Sequence, residues 1–307
     1  MKMIKHFYSL LILASLELML CSFINISDEE IINMGVSEEQ LLQLKEDVIS
    51  GQTGRIEFPV CHASIDVPSD FVFLDKEQSK KLLVTYWNNP ESHVSNLLGT
   101  LVPSVSTCFY QVAVAYVLTY DNCGYIKDDD ANSIDYSELL QQMQKEAEEE
   151  NKNLPEDQRF TIKGWAVSPH YNQTNHSLIW AKTFDVDQHE TVNYDMRILG
   201  KDGLVSINAV IDPALIEEVR TKESEIIQSL HFDQGHAYSD FNPSTDKVSD
   251  WTIGGLVAGG ILAKTGVLSK IGIFLLKFWK LIAIGVAGAG AAIVKYFRRR
   301  GDESDEV

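Results

Sequence analysis

The sequence predicts an α+β fold, a mainly antiparallel sheet flanked by helices, with a C-terminal transmembrane helix after it. Three features carry that reading. Segments of alternating apolar residues recur through the middle of the chain, with turn residues between them and stretches of helical period interrupting them. One strand pair, "TVNYDMRILGKDGLVSINAVI", has a self-consistent register. The remaining apolar residues gather at the two ends, as in segments directed to a membrane.

The start, "MKMIKHFYSLLILASLELMLCS", places Lys2 and Lys5 before an apolar run from Phe7 to Leu16, the layout of a secretory signal. Residues 1–22 are therefore expected to be a signal peptide or N-terminal anchor. Leu20, before Cys21, is too bulky for a lipid-attachment signal. Residues 23–53 follow as a helical lead, with a Ser37 cap opening "SEEQLLQLKEDV".

The domain proper is expected over 54–235, facing away from the cytoplasm. "GRIEFPVCHASIDVPSDFVFL" reads as two short strands joined near Pro59. "DKEQSKKLLVTYW" reads as a helix capped by Asp75, with Leu82, Leu83 and Tyr86 inward. A strand from Phe109 to Tyr120 puts Tyr110, Val112, Val114, Tyr116, Leu118 and Tyr120 on one face. Its other face is also small or apolar, so the strand should be central. "FTIKGWAV" and "SLIWAKTFDV" are further strands. If Asp202-Gly203 is a two-residue turn, Leu199 pairs with Ser206, Ile198 with Ile207, Met196 with Ala209 and Tyr194 with Ile211. One face of that hairpin is then apolar; the other carries Asn193, Asp195, Arg197, Ser206 and Asn208. "PALIEEVRTKESEIIQSL" is an amphipathic helix opening at Pro213.

Residues 236–270 are expected to be a turn-rich tether and a glycine-rich membrane-proximal segment. Within it, Gly255 and Gly259 have the spacing that lets helices pack closely, which suggests self-association. Residues 271–297 can span a bilayer, with Lys277 and Lys280 snorkelling at one interface beside Trp279. Arg298, Arg299 and Arg300 then hold residues 298–307 in the cytoplasm. A hairpin of two spans would put those arginines outside, against the positive-inside tendency.

"GYIKDDDANSIDYSELLQQM" tests a calcium reading. Counting from Asp128, Asp130 and Asn132 fit the ligand positions of a calcium loop. Ser133 stands where glycine is needed, and Leu139 where the bidentate glutamate should be. The alternative has no such gaps: Asp135 caps a helix, Glu138 follows as its capping-box partner, and Leu139, Leu140, Met143 and Ala147 form its apolar stripe. The helix is the better reading.

Of 26 Lys and Arg and 44 Asp and Glu, the two ends hold 10 and 5, which leaves −23 on residues 23–250. That charge excludes nucleic acid and anionic lipid surfaces as partners for this region. Four cysteines, Cys21, Cys61, Cys108 and Cys123, are too few for a disulfide scaffold.

Several blocks taken together carry a resemblance. They are "DFVFLDKEQSKKLLVTYWNNP", "LLGTLVP", "GYIKDDDANSIDYSELL", "KGWAVSPHYNQTNHSLIWA", "NYDMRILGKDGLVSINAV" and "DFNPSTDK" before a glycine-rich tail. In these the chain resembles a bacterial membrane-anchored family with a domain of unknown function (number two-one-six-seven). The resemblance implies an anchored topology and supplies no activity and no catalytic residues. A second, weaker likeness, from "IDVPSDFVF" to "EIIQSLHF", is to the sheet-and-helix sandwich of PsbP and Mog1-like proteins.

The sequence has no GxSxG elbow, HExxH helix, CxxC pair, P-loop or dinucleotide fingerprint. It therefore suggests no cofactor, metal or catalytic residue. Candidate ligand-binding residues are aromatics interleaved with amides, a pattern suited to glycans: Trp87, Asn88 and Asn89 in "YWNNP", with Trp165, Tyr171 and Trp180. Asp195 and Arg197 share a strand face and complete the set. The expectation is a non-catalytic binding or interaction module of the cell envelope. It would be held in the bacterial inner membrane with its domain in the periplasm, its partners the bilayer and an envelope protein or glycan. An envelope hydrolase with a carboxylate or histidine site is the alternative.

Overall fold

The computed structural model describes residues 49–259, apart from 88, 90, 107–111, 113, 155–158 and 187–188. Its strands, in chain order, are β1 (Gly54–Phe58), β2 (Ala63–Val67), β3 (Phe71–Leu74), β4 (Leu97–Pro103), β5 (Tyr116–Asp121) and β6 (Tyr125–Lys127). They continue as β7 (Phe160–Asn172), β8 (Ser177–Val186), β9 (His189–Leu199), β10 (Leu204–Ile211), β11 (Leu230–Phe232) and β12 (Val248–Thr252). The α-helices are α1 (Lys76–Lys80), α2 (Tyr136–Asn151), α3 (Ile216–Ser229) and α4 (Ile253–Ala258).

Seven strands form the main sheet in the order β3-β4-β5-β10-β9-β8-β7. Every neighbouring pair in it is antiparallel. Strand β5 is central, as its two apolar faces require, but it begins at Tyr116 rather than Phe109. Its Tyr116, Leu118 and Tyr120 are buried on one face. Residues 109–111 and 113 of the expected longer strand, and Cys108 before it, lie outside the described residues.

The β9–β10 hairpin corrects the expected register by two residues. Met196 lies opposite Ile207 and Tyr194 opposite Ala209. The Gly200 N–H donates to the Gly203 carbonyl at 2.8 Å, so the turn closes one residue earlier than a turn at Asp202-Gly203 would. A shift of two leaves every side chain on its own face, whereas a shift of one would have reversed them all. Gly203 is required by close approach: a Cβ there would sit 2.0 Å from the Asp121 carbonyl oxygen.

One face of the main sheet is apolar. Tyr194, Met196, Ile198, Val205, Ile207 and Ala209 pack there with Phe58 and Ile65 of the small sheet β1-β2-β11 and with Val219, Ile226 and Ile227 of α3. Asp212 caps the 3-10 turn that leads into α3, accepting from the Ala214 N–H. On the opposite face, Leu139, Met143 and Ala147 of α2 pack on Ile162, Trp180 and Phe184. Leu140 of the expected stripe is only part-buried. Asp75 caps α1 through the Gln78 N–H, and the chain continues as a π-helix over Lys81–Tyr86 that buries Leu82, Leu83 and Tyr86.

The three aspartates lie where two helices start. Asp135 Oδ1 accepts from the Ser137 and Glu138 N–H groups, so it caps α2 as expected. Asp130 has a function the sequence did not show: its carboxylate accepts from the Ile253 and Gly254 N–H groups at 3.1 and 3.0 Å, closing the N-terminus of α4. Asp135→Ala is expected to lose about 1 kcal/mol and Asp130→Ala roughly 0.5–2 kcal/mol in chemical denaturation. A neutral result at Asp130 would show that α4 does not dock through this contact.

Helix α4 changes the picture of the tether. From His236 to Gly259 the chain is packed on the domain rather than hanging free of it. Strand β12 pairs in parallel with β6. Tyr238 stacks on Tyr125 and on His176, with centroids 4.4 and 4.1 Å apart, and Phe241 stacks on the same Tyr125 at 3.8 Å. The Tyr238 hydroxyl donates to the Ile126 carbonyl at 2.8 Å. Ile253, Val257 and Ala258 are fully buried in the α2 cluster. Gly255 and Gly259, expected on a face open to a second copy, are themselves buried here, and Gly259 ends α4 with φ 79°. Association through them would require α4 to leave the domain. Among the described residues no helix is long and apolar enough to cross a membrane. The expected signal (1–22), most of the helical lead (23–48), the span (271–297) and the tail (298–307) lie outside them.

Candidate functional site

The polar face of β9 and β10 is not a solvated surface. Asp195 is 3% exposed, Lys182 4%, and Asn193 and Arg197 8% each. Cross-strand pairing brings them together: Asp195 lies opposite Asn208 on β10 and Trp180 on β8, and Asn193 opposite Lys182. Apolar side chains bound this polar strip on both sides. Leu178, Leu199 and Leu204 stand towards α4, and Leu83, Leu97 and Val117 stand towards β4.

Asp195 is the acceptor at its centre. Its Oδ1 accepts from Arg197 Nη2 at 2.9 Å and from Asn208 Nδ2 at 3.1 Å, and its Oδ2 accepts from Asn193 Nδ2 at 3.2 Å. Asn208 also donates to the Asn193 side chain, which ties the two amides together. The Arg197 guanidinium lies over the Trp180 ring, 5.4 Å from its centroid. Lys182 sits above Phe184 at 5.8 Å. Burial pushes its ammonium down to about 8; the Asp195 charge opposes that shift and the Arg197 charge adds to it. Two cations thus face one anion in a dry setting.

Donors are left over. Trp180 Nε1 and Ser206 Oγ are buried with no hydrogen-bond partner, and Ser206 is the cross-strand partner of Arg197. Orphaned buried polar groups are few in folded proteins, so such a pair beside a buried cation needs an explanation. Arg197 also lines a cavity of ≈ 170 Å³, together with Asp121, Asn122, Cys123, Leu204, Trp251 and Leu256. Burial raises the Cys123 thiol above its usual range. Cys61 is buried, and both cysteines are free thiols.

The sequence-derived candidates divide into two groups. Trp180, Asp195 and Arg197 come together as described. Trp165 and Tyr171 share the α2 cluster with Trp180 but are pinned by structural bonds: Trp165 Nε1 donates to the Tyr136 carbonyl, and the Tyr171 hydroxyl meets His176 Nδ1 at 3.1 Å. Trp87 and Asn89 sit elsewhere. Trp87 packs against the clusters around Leu82 and Leu83, and Asn89 Nδ2 donates to the Leu83 carbonyl, closing the π-helix. Asn88 lies outside the described residues. The aromatics therefore do not assemble into one platform, and Trp180, at 1% exposure, has no face left to stack on a sugar. Lys182 was missed, although a signal existed: a lysine at an inward position of "LIWAKTFDV", between Trp180 and Phe184 on the same face.

Comparison with known proteins adds a family. A family model described as "Protein of unknown function (DUF2167)" matches residues 50–287. The chain belongs to the DUF2167 family. The matched span takes in every described strand of this DUF2167 fold and extends past α4. No curated protein matches the chain. Among solved structures, the DUF2167 chain is similar to the solution structure of cyanobacterial PsbP (CyanoP) from Synechocystis sp. PCC 6803. The TM-score is 0.35 at 6% identity, covering 60% of this chain and 94% of that one.

Proposed function

We propose that the chain is a membrane-anchored protein of the bacterial cell envelope whose domain faces the periplasm as a non-catalytic binding module. The observation that carries the binding reading is Arg197: it is buried and anchored on one side by Asp195, and it lines a cavity. A guanidinium so placed is held in position by the fold and has donors to spare for a ligand. The anchoring rests on the sequence: a signal-like start, an apolar stretch at 271–297 and the arginines directly after it.

The same face supports the alternative, a hydrolase, through two features: a buried carboxylate, Asp195, and an amine able to exchange its proton near neutrality, Lys182. Both Asp195 oxygens are taken by Arg197, Asn193 and Asn208, and Lys182 does not line the cavity. Binding accounts for the arrangement better than proton transfer does.

Two measurements test the proposal. Protease added to spheroplasts should digest the domain and leave a small C-terminal fragment, and a reporter fused after Val307 should remain in the cytoplasm. Full protection of the domain would overturn the topology. Crosslinking in intact cells, followed by mass spectrometry, should capture an envelope component that Arg197→Met fails to capture. Equal capture by both would remove Arg197 from the binding surface.

A further inference from the structure

The cavity at Arg197 has a second charged group. Asp121, at the end of β5, pairs across the sheet with Leu204, while Arg197 pairs with Ser206 on the same β10 strand. Both parities point to one face, and both residues line the same cavity. Strand spacing and rise put their Cα atoms roughly 12 Å apart. Between and around them the walls are Leu204, Leu256 and Trp251.

The chemistry at each end is distinct. Among the described residues, the Arg197 guanidinium hydrogen-bonds Asp195 alone, through Nη2. A guanidinium with free N–H groups in a buried setting selects a carboxylate or phosphate oxygen. Asp121 uses one oxygen on the Asn96 amide, which leaves the other to accept from a ligand. Lys182, Arg197 and Asp195 together carry one net positive charge, and Asp121 cancels it. A dianionic phosphate would leave an uncompensated charge beside Asp121, whereas a zwitterion leaves none. For size, an apolar cavity of about 150 Å³ holds a benzene molecule, so this one has room for about six to eight non-hydrogen atoms.

We propose that this cavity binds a small zwitterion of the α-amino-acid type, its carboxylate on Arg197, its ammonium on Asp121 and its side chain against Leu204, Trp251 and Leu256. The assignment rests on the binding-module reading and names the ligand class for it. The unpartnered Ser206 hydroxyl, opposite Arg197 on β10, and the Trp180 N–H are buried donors near Arg197 that do not themselves line the cavity.

The test uses the full chain purified in detergent, with Trp251 fluorescence and thermal shift as readouts. The probes are L-valine, valinamide (no carboxylate) and 3-methylbutanoate (no amine), each up to about 10 mM, enough to saturate a site with a Kd near 1 mM. L-valine should bind, and removing either charged end should weaken binding by about tenfold or more. Asp121→Asn should weaken valine to the level of 3-methylbutanoate and leave 3-methylbutanoate itself unchanged. Arg197→Lys should weaken both carboxylates, because a point charge replaces a fork of donors. Absence of saturable valine binding would overturn the assignment, as would equal binding of valine and 3-methylbutanoate with no effect of Asp121→Asn. Either of those results would leave the crosslinking test of the module untouched. Release of ammonia from valinamide would instead mark catalysis and overturn the non-catalytic reading itself.

Discussion

Asp195→Ala is expected to destabilise the domain by roughly 3–5 kcal/mol, the range for removing one partner of a buried ion pair. The reason is electrostatic rather than steric. Without Asp195, Arg197 and Lys182 remain buried with no counter-charge bonded to them, and Asn193 and Asn208 each lose an acceptor. Lys182→Met should have the opposite sign at neutral pH, neutral or stabilising, because it removes the surplus cation and keeps the Asp195–Arg197 pair. In the double variant Lys182→Met should recover part of the loss, and the two effects should not add.

The same lysine gives a pH signature. Its folded value lies near 8, against 10.5 for the unfolded chain. Below pH 8 both states are protonated, and the folded state carries the full penalty of a buried ammonium. Between pH 8 and 10.5 the unfolded chain binds more protons, so stability rises with pH; above that window it levels off. The gain should be on the order of 3 kcal/mol relative to Lys182→Met, which lacks the group. Urea denaturation of the two proteins across pH 7 to 11 measures it. Parallel curves would mean that the ammonium is solvated in the folded state.

Tyr238→Ala is the second large effect, about 3–5 kcal/mol by analogy with the loss of other buried aromatic rings. It removes a 6%-exposed ring from between Tyr125 and His176, together with a hydroxyl bonded to the Ile126 carbonyl. The damage should be local first. Lys247 is held by the Tyr125 N–H at 2.8 Å, so trypsin should cut there slowly in the parent and quickly in the variant. Tyr238→Phe keeps the stack and should cost about 1–2 kcal/mol through the unsatisfied carbonyl. Unchanged cleavage at Lys247 in Tyr238→Ala would show that β12 and α4 stay docked without the stack.

Periodicity made the sheet legible, and local chemistry made the helix starts legible. The alternation in β9 and β10 assigned every residue to its face although the turn was misplaced, because a register error of two is silent in a pattern of period two. Asp75 and Asp135 were readable as caps because their partners lie within three residues. Burial of the polar face was not readable. The side chains that bound it come from β4, β5, β8, β9, β10 and the π-helix, with α2 and α4 packed beyond them, and no local pattern records contacts between segments so far apart in the chain. Helix α4 failed for a related reason. "IGGLVA" has a composition suited equally to lipid and to a protein core, and the residue that decides between them, Asp130, is 123 positions upstream of Ile253. The ligand cavity combines both problems, since Asp121, Arg197 and Trp251 meet only once the sheet and the docked C-terminal stretch are in place.

The docked end of the domain also sets a leash length. With Gly259 fixed in the fold and the proposed span beginning at Ile271, the intervening residues 260–270 can extend at most about 40 Å. A free tether from His236 would have allowed roughly three times that reach. The domain would therefore patrol a thin shell over the bilayer instead of the depth of the periplasm, and would encounter chiefly what the membrane itself displays or releases.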